Sequence, residues 1–112
     1  MTGVQTCALP ILPDLLKSIR KIDYIYVDGN HTYEATIRYF NMIKPHLQTK
    51  GVMIFDDINW SEGMSRAWKE IKTDPDVTMT VDFFDLGLVF LNDALSKENF
   101  ILKKSKCRIK CD

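Results

Sequence analysis

Two short apolar runs, each stopped by carboxylates, flank a stretch with helical spacing. Residues 24–31 read Tyr-Ile-Tyr-Val-Asp-Gly-Asn-His, and residues 51–57 read Gly-Val-Met-Ile-Phe-Asp-Asp. Such runs are expected of strands buried in a parallel sheet. Between them Thr32 is a candidate N-cap, and Tyr33, Ile37, Phe40, Ile43 or Lys44, and Leu47 recur at helical spacing. Pro45 should end the regular helix near Ile43, and Lys50-Gly51 reads as the turn into the next strand. A strand–helix–strand unit of this kind makes its strands parallel. Both carboxyl ends then open on the same edge, where open α/β sheets bind ligands. Asp28, Asp56 and Asp57 would crowd that rim.

The pattern continues as loop, helix and hairpin. After the loop 58–60, Ser61 is a second N-cap candidate, with Met64, Ala67, Trp68 and Ile71 forming an inner helix face and Pro75 closing the turn. Residues 78–84 alternate, with Met79, Val81 and Phe83 on one face. Asp85-Leu86-Gly87 reads as a turn and residues 88–91 as an apolar strand, so the two runs should pair as an antiparallel hairpin. Upstream, residues 12–20 read as a short helix with Pro13 in its first turn. Downstream, residues 100–102 are an apolar patch, followed by a lysine-rich tail over 103–112 that is expected to be disordered. The order of elements predicts an α/β fold with an antiparallel end.

Composition narrows the function. A chain of 112 residues with 15 basic and 15 acidic side chains has no net charge. That leaves no electrostatic footprint for nucleic acid or anionic membrane. No apolar run approaches the ~18 residues that suggest a membrane span, and no signal peptide is evident, so a cytoplasmic location is expected. Residues 1–11, MTGVQTCALPI, resemble the translation of a short-read sequencing adapter. They are set aside from the fold reasoning as a non-native stretch, and Cys7 with them. Cys107 and Cys111 have a spacer that fits no strong metal or redox signature and read as reduced thiols.

Three carboxylates on one rim repel each other unless a cation offsets them. A hard divalent ion such as Mg²⁺ needs few carboxylates, with water and substrate oxygens filling its remaining positions. It could orient a substrate's hydroxyls and lower the pKa of a bound oxygen nucleophile. His31, three residues past Asp28, is the candidate base. Trp60 is the candidate substrate contact. Each also has a plainer reading: Asp28 or Asp57 as loop caps, His31 as a helix-start residue, Trp60 as a cover for the sheet end. Tyr33 reads as packing, and Tyr24 and Tyr26 as core-facing or interfacial.

VDGNHTYEAT, then KPHLQTKGVMIFDDI, then SEGMSRAWKEI resemble the C-terminal half of class I S-adenosylmethionine-dependent methyltransferases, nearest the small-molecule O-methyltransferase branch. The resemblance covers residues 12–102, which would form a partial methyltransferase domain. It implies a Rossmann-like sheet ordered 3-2-1-4-5-7-6, of which this chain would supply strands 4, 5, 7 and 6. It also implies a small-molecule methyl acceptor, S-adenosylmethionine as cofactor, and Mg²⁺ held at the positions of Asp28, Asp56 and Asp57. Sugar-modifying relatives carry an acidic base where this chain has Asn30, which shifts that role to His31. The family's glycine-rich loop has no counterpart here, so no residue is assigned to the cofactor and this chain alone is expected to be inactive. Strand 4 would lack its neighbour, leaving an exposed edge prone to self-association. Two rivals stand beside this reading. A receiver-like Mg²⁺-binding signalling module would carry its paired acids before the single one, the reverse of the order here; the other rival is a non-catalytic α/β scaffold.

Overall fold

The computed structural model describes residues 3–6, 21–28 and 31–102. The expected helix over 12–20, the Gly29-Asn30 turn, all three cysteines and the tail lie outside them. Among the described residues six strands form one mixed sheet: β1 (Gly3–Thr6), β2 (Ile22–Val27), β3 (Leu47–Asp56), β4 (Met79–Asp82), β5 (Leu86–Phe90) and β6 (Glu98–Ile101), in spatial order β1-β2-β3-β5-β4-β6. Helix α1 (Tyr33–Ile43) links β2 to β3, and α2 (Glu62–Thr73) links β3 to β4. β1, β2 and β3 run parallel, whereas β5 is antiparallel to both β3 and β4. The run β2-β3-β5-β4 has the order expected of strands 4, 5, 7 and 6, and the α/β class is as expected. No helix among the described residues is long and apolar enough to cross a membrane.

Both helices start where the sequence says they should. The Thr32 Oγ1 accepts from the Ala35 N–H at 3.2 Å, and the Ser61 Oγ accepts from the Met64 N–H at 3.2 Å. Each cap satisfies a backbone donor that the first turn leaves unpaired, worth about 1 kcal/mol. At their far ends the helices are tied together by Lys44, whose Nζ lies 3.0 Å from Asp74 and 2.9 Å from Asp76. α2 buries Met64, Ala67, Trp68 and Ile71, the face its spacing predicts.

The buried stripe of α1 differs from the expected one: it is Ala35, Thr36, Tyr39, Phe40 and Ile43. Tyr33 and Ile37 sit at its margin. The small side chains of Ala35 and Thr36 let the helix approach its neighbours, while Tyr33 packs sideways, its ring 4.1 Å beneath the Arg66 guanidinium and its hydroxyl donating to Glu70. Residues from both helices close over one sheet face, where Ile25, Val27, Met53, Phe55 and Val89 make a continuous core. The opposite face, with Tyr26, Val52, Ile54 and Leu88, is half-buried.

Two glycines read as turns lie inside strands instead. Neither has a positive φ; what each supplies is a missing Cβ. At Gly51 a Cβ would come 2.9 Å from the Ile22 carbonyl oxygen, at the irregularity in the β2–β3 pairing. This lets β3 begin at Leu47, before the expected turn, directly after the short 3-10 turn Lys44–His46. At Gly87 a Cβ would fall 2.5 Å from the buried Trp68 ring. The hairpin turn itself is Phe83 to Asp85. The outer edge of β2, expected to stand open, carries β1, so the described sheet ends at β1 and β6. Strand β6 falls partly on the apolar patch noted at 100–102 and pairs parallel to β4 while remaining exposed along its length.

Substituting Gly87→Ala should therefore force the Trp68 ring out of place. We expect a loss of about 1–3 kcal/mol, the usual range for overpacking, measurable as a shift in the urea midpoint. An unchanged midpoint would show that the ring has room to yield.

Candidate functional site

The parallel pairing of β2 with β3 runs to Val27↔Phe55, so the next residue on each strand, Asp28 and Asp56, emerges at the same height. Alternation sends Tyr26, Asp28, Ile54 and Asp56 to the half-buried face, away from the helical layer. His31 enters from the segment just before the Thr32 cap. One ligand atom each from Asp28, His31 and Asp56 lies within 4.8 Å of the others, and all three residues are half-buried. The structure thus brings together three of the four residues predicted from sequence for the acidic site.

Asp57 goes elsewhere. Its φ of 56° places it in the left-handed region, which Asp tolerates better than most residues. Its N–H donates to the Asp85 carbonyl at 2.7 Å and its own carbonyl accepts from the Trp60 N–H at 3.0 Å. The turn swings its carboxylate away from the other acids and towards His31, where Oδ2 lies 3.1 Å from Nε2. The contact is close but not an aligned hydrogen bond: Nε2 is buried with no hydrogen-bond partner. The Trp60 indole packs against the His31 ring, at a centroid separation of 5.2 Å and a 37° tilt.

Tyr26 belongs to this site and sequence reasoning missed it. Its phenol is held protonated to higher pH than usual, chiefly by burial, then by the charge of Asp56 and a hydrogen bond to it, with Asp28 and Asp57 adding to the effect. Tyr26 thus stands within electrostatic reach of Asp56. The signal was available: Tyr26 stands two residues before Asp28, hence on the same strand face, and opposite Ile54, two before Asp56.

Beside the acids lies a cleft of about 330 Å³ lined by Asp57, Asn59, Trp60, Phe84 and Asp85. Its two walls are tied together, since Asn59 Nδ2 donates to the Phe84 carbonyl at 2.8 Å. Trp60, the predicted substrate contact, is thus placed at once against His31 and at the cleft.

Residues 4–58 match a family model described as a methyltransferase domain. The matched segment runs from β1 through the end of β3 and contains Tyr26, Asp28, His31, Asp56 and Asp57. It begins inside the stretch set aside at the start of the chain. No curated protein matches the chain.

The donor set suits a divalent cation. Two half-buried carboxylates at this range could share a positive charge, and two carboxylates with open positions meet the needs of Mg²⁺ or Mn²⁺. The five glycines, at 3, 29, 51, 63 and 87, include no Gly-x-Gly spacing.

The raised pKa of Tyr26 gives a pH signature. Because folding raises this phenol's pKa, its contribution to stability is complete below about pH 10, the unfolded value, and is lost as pH rises through the folded one. Tyr26→Phe should flatten the alkaline limb of a stability–pH curve and remove a late-titrating phenol from the absorbance at 295 nm. An unaltered alkaline limb would contradict the assignment.

Proposed function

We propose that this chain carries the acceptor-and-cation side of an S-adenosylmethionine-dependent methyltransferase that methylates an oxygen of a small molecule. The observation that carries the reading is the convergence of Asp28, His31 and Asp56 at adjacent strand ends, inside the segment that matches a methyltransferase domain. Asp28 and Asp56 would hold a divalent cation, with Tyr26 within electrostatic reach of Asp56. That cation, when bound, would make an acceptor hydroxyl more acidic, and the cofactor would supply an electrophilic methyl group.

His31 would take the hydroxyl proton. Asp57, 3.1 Å from Nε2, would stabilise the imidazolium so formed. This departs from a three-carboxylate ligand set, because Asp57 stands against His31 and not between the other two acids. A hard ion has little use for an imidazole ligand, which leaves His31 free for proton transfer. Trp60 would exclude water from the imidazole and pack against the acceptor. The match of residues 4–58 to a methyltransferase domain supports a reaction on a bound methyl donor. The lack of a Gly-x-Gly turn supports the view that these residues alone do not bind that donor.

Two measurements test the reading. Mn²⁺ binding followed by electron paramagnetic resonance should weaken at least about tenfold in Asp56→Asn, the scale expected when an ion loses a ligand or its support, and by less than about threefold in His31→Gln. Equal losses would make His31 a ligand and remove it as base. Calorimetry of the chain with S-adenosylmethionine should give no saturable heat. Stoichiometric binding would overturn the assignment of this chain to the acceptor side alone.

A further inference from the structure

Asp57 and Phe84 are the two non-glycine residues with positive φ among those described, at 56° and 73°, and both line the 330 Å³ cleft beside the acidic rim. For a bulky residue such as Phe this backbone conformation is a true outlier, and such strain gathers where the surroundings hold a side chain in place for use. The restraint on Phe84 comes from both sides. Its N–H donates to the Asp82 Oδ1 at 2.7 Å and its carbonyl accepts from the Asn59 Nδ2 at 2.8 Å. Between two other lining residues, the Asp57 N–H donates to the Asp85 carbonyl at 2.7 Å. A hairpin turn in need of a positive φ would be served better by Gly or Asn. Here the turn projects a phenyl ring that is 61% exposed, on the same cleft as an indole that is 67% exposed. Two large apolar side chains held in water at a concave site point to a ligand that covers them.

The rest of the lining says what kind. The cleft has two carboxylates, Asp57 and Asp85, one amide, Asn59, and neither lysine nor arginine. Aromatic faces and carboxylates together attract a weakly hydrated organic cation: the ring quadrupoles and the charges act in the same sense. We infer that this cleft is a binding subsite for the ammonium group of a small molecule, with Trp60 and Phe84 as its walls and the carboxylates of Asp57 and Asp85 supplying the opposite charge. That the ammonium compound is the methyl acceptor rests on the reading above; that the cleft binds it does not. The acceptor would then be an amine-bearing hydroxyl compound, its cationic end against Phe84 and its hydroxyl towards Asp28 and Asp56.

The test is titration of the 112-residue chain with benzyltrimethylammonium and with neutral benzyl alcohol. Binding is followed by Trp60 fluorescence, the Trp68 indole being buried, and by calorimetry. Saturable binding of the cation at or below about 1 mM is expected, at least about tenfold tighter than the alcohol. Phe84→Gly separates binding from folding, because glycine accepts a positive φ without strain. It should raise the thermal midpoint or leave it unchanged while weakening cation binding at least about tenfold. Absence of saturation, equal binding of the neutral compound, or undiminished binding by Phe84→Gly would each overturn the subsite. Mn²⁺ binding in the same samples keeps the two readings apart: intact metal affinity without ammonium binding removes the subsite alone, and the reverse removes the cation reading of the rim alone.

Discussion

The parallel pairing of β2 with β3 is the constraint on which the rest depends. Its register ends at Val27 and Phe55, so Asp28 and Asp56 are brought side by side by backbone hydrogen bonds that neither side chain influences. Two carboxylates so placed repel one another. The sheet can hold them there because the inward neighbours, Ile25, Val27, Met53 and Phe55, are all buried under the helices, each burial worth about 1.5–3 kcal/mol. The core thus supports a rim on which two carboxylates stand close enough to share a cation, as proposed above.

Around this rim the loops are fastened to one another more than to the core. Thr32 caps α1 and so places His31 just outside its first turn. Asp57 turns left, gives its N–H to Asp85, and sends its carboxylate to His31. Asn59 reaches across to the Phe84 carbonyl. The β3–α2 loop and the β4–β5 turn therefore hold each other, and both positive-φ residues lie at that junction. Fixing the junction preorganises the acid, the imidazole and the exposed rings together, which a set of independent loops could not do.

Much of this was legible in the chain. Thr32 and Ser61 were readable as caps because a short hydroxyl before a helical stripe has one good use. The inner face of α2 was readable because Met64, Ala67, Trp68 and Ile71 stand among charged residues. The strand ends at Asp28 and Asp56 followed from apolar runs stopped by acids. What misled was ambiguity of residue type. Glycine at 51 and 87 signals either backbone freedom or a missing Cβ, and spacing cannot tell a turn from a strand pressed against a carbonyl or an indole. In α1 the apolar residues are numerous enough to draw two stripes, and packing chose the one with Ala35 and Thr36. Tyr26 was hidden because a strand tyrosine is so often core; only the register with Ile54 puts it on the same face as Asp56. Strand β6 carries no burial pattern, since all of its residues are exposed, so periodicity could not announce it.

The central claim is that Asp28 and Asp56 form one cation site at adjacent strand ends, with Asp57 serving His31 instead. Anomalous diffraction from crystals soaked in Mn²⁺ addresses it directly. The account predicts a single strong peak between the Asp28 and Asp56 carboxylates, at the ~2.0–2.3 Å ligand distances of small hard divalent ions, with Asp57 still against His31. A peak held by Asp57, or no peak on that rim at saturating Mn²⁺, would contradict it.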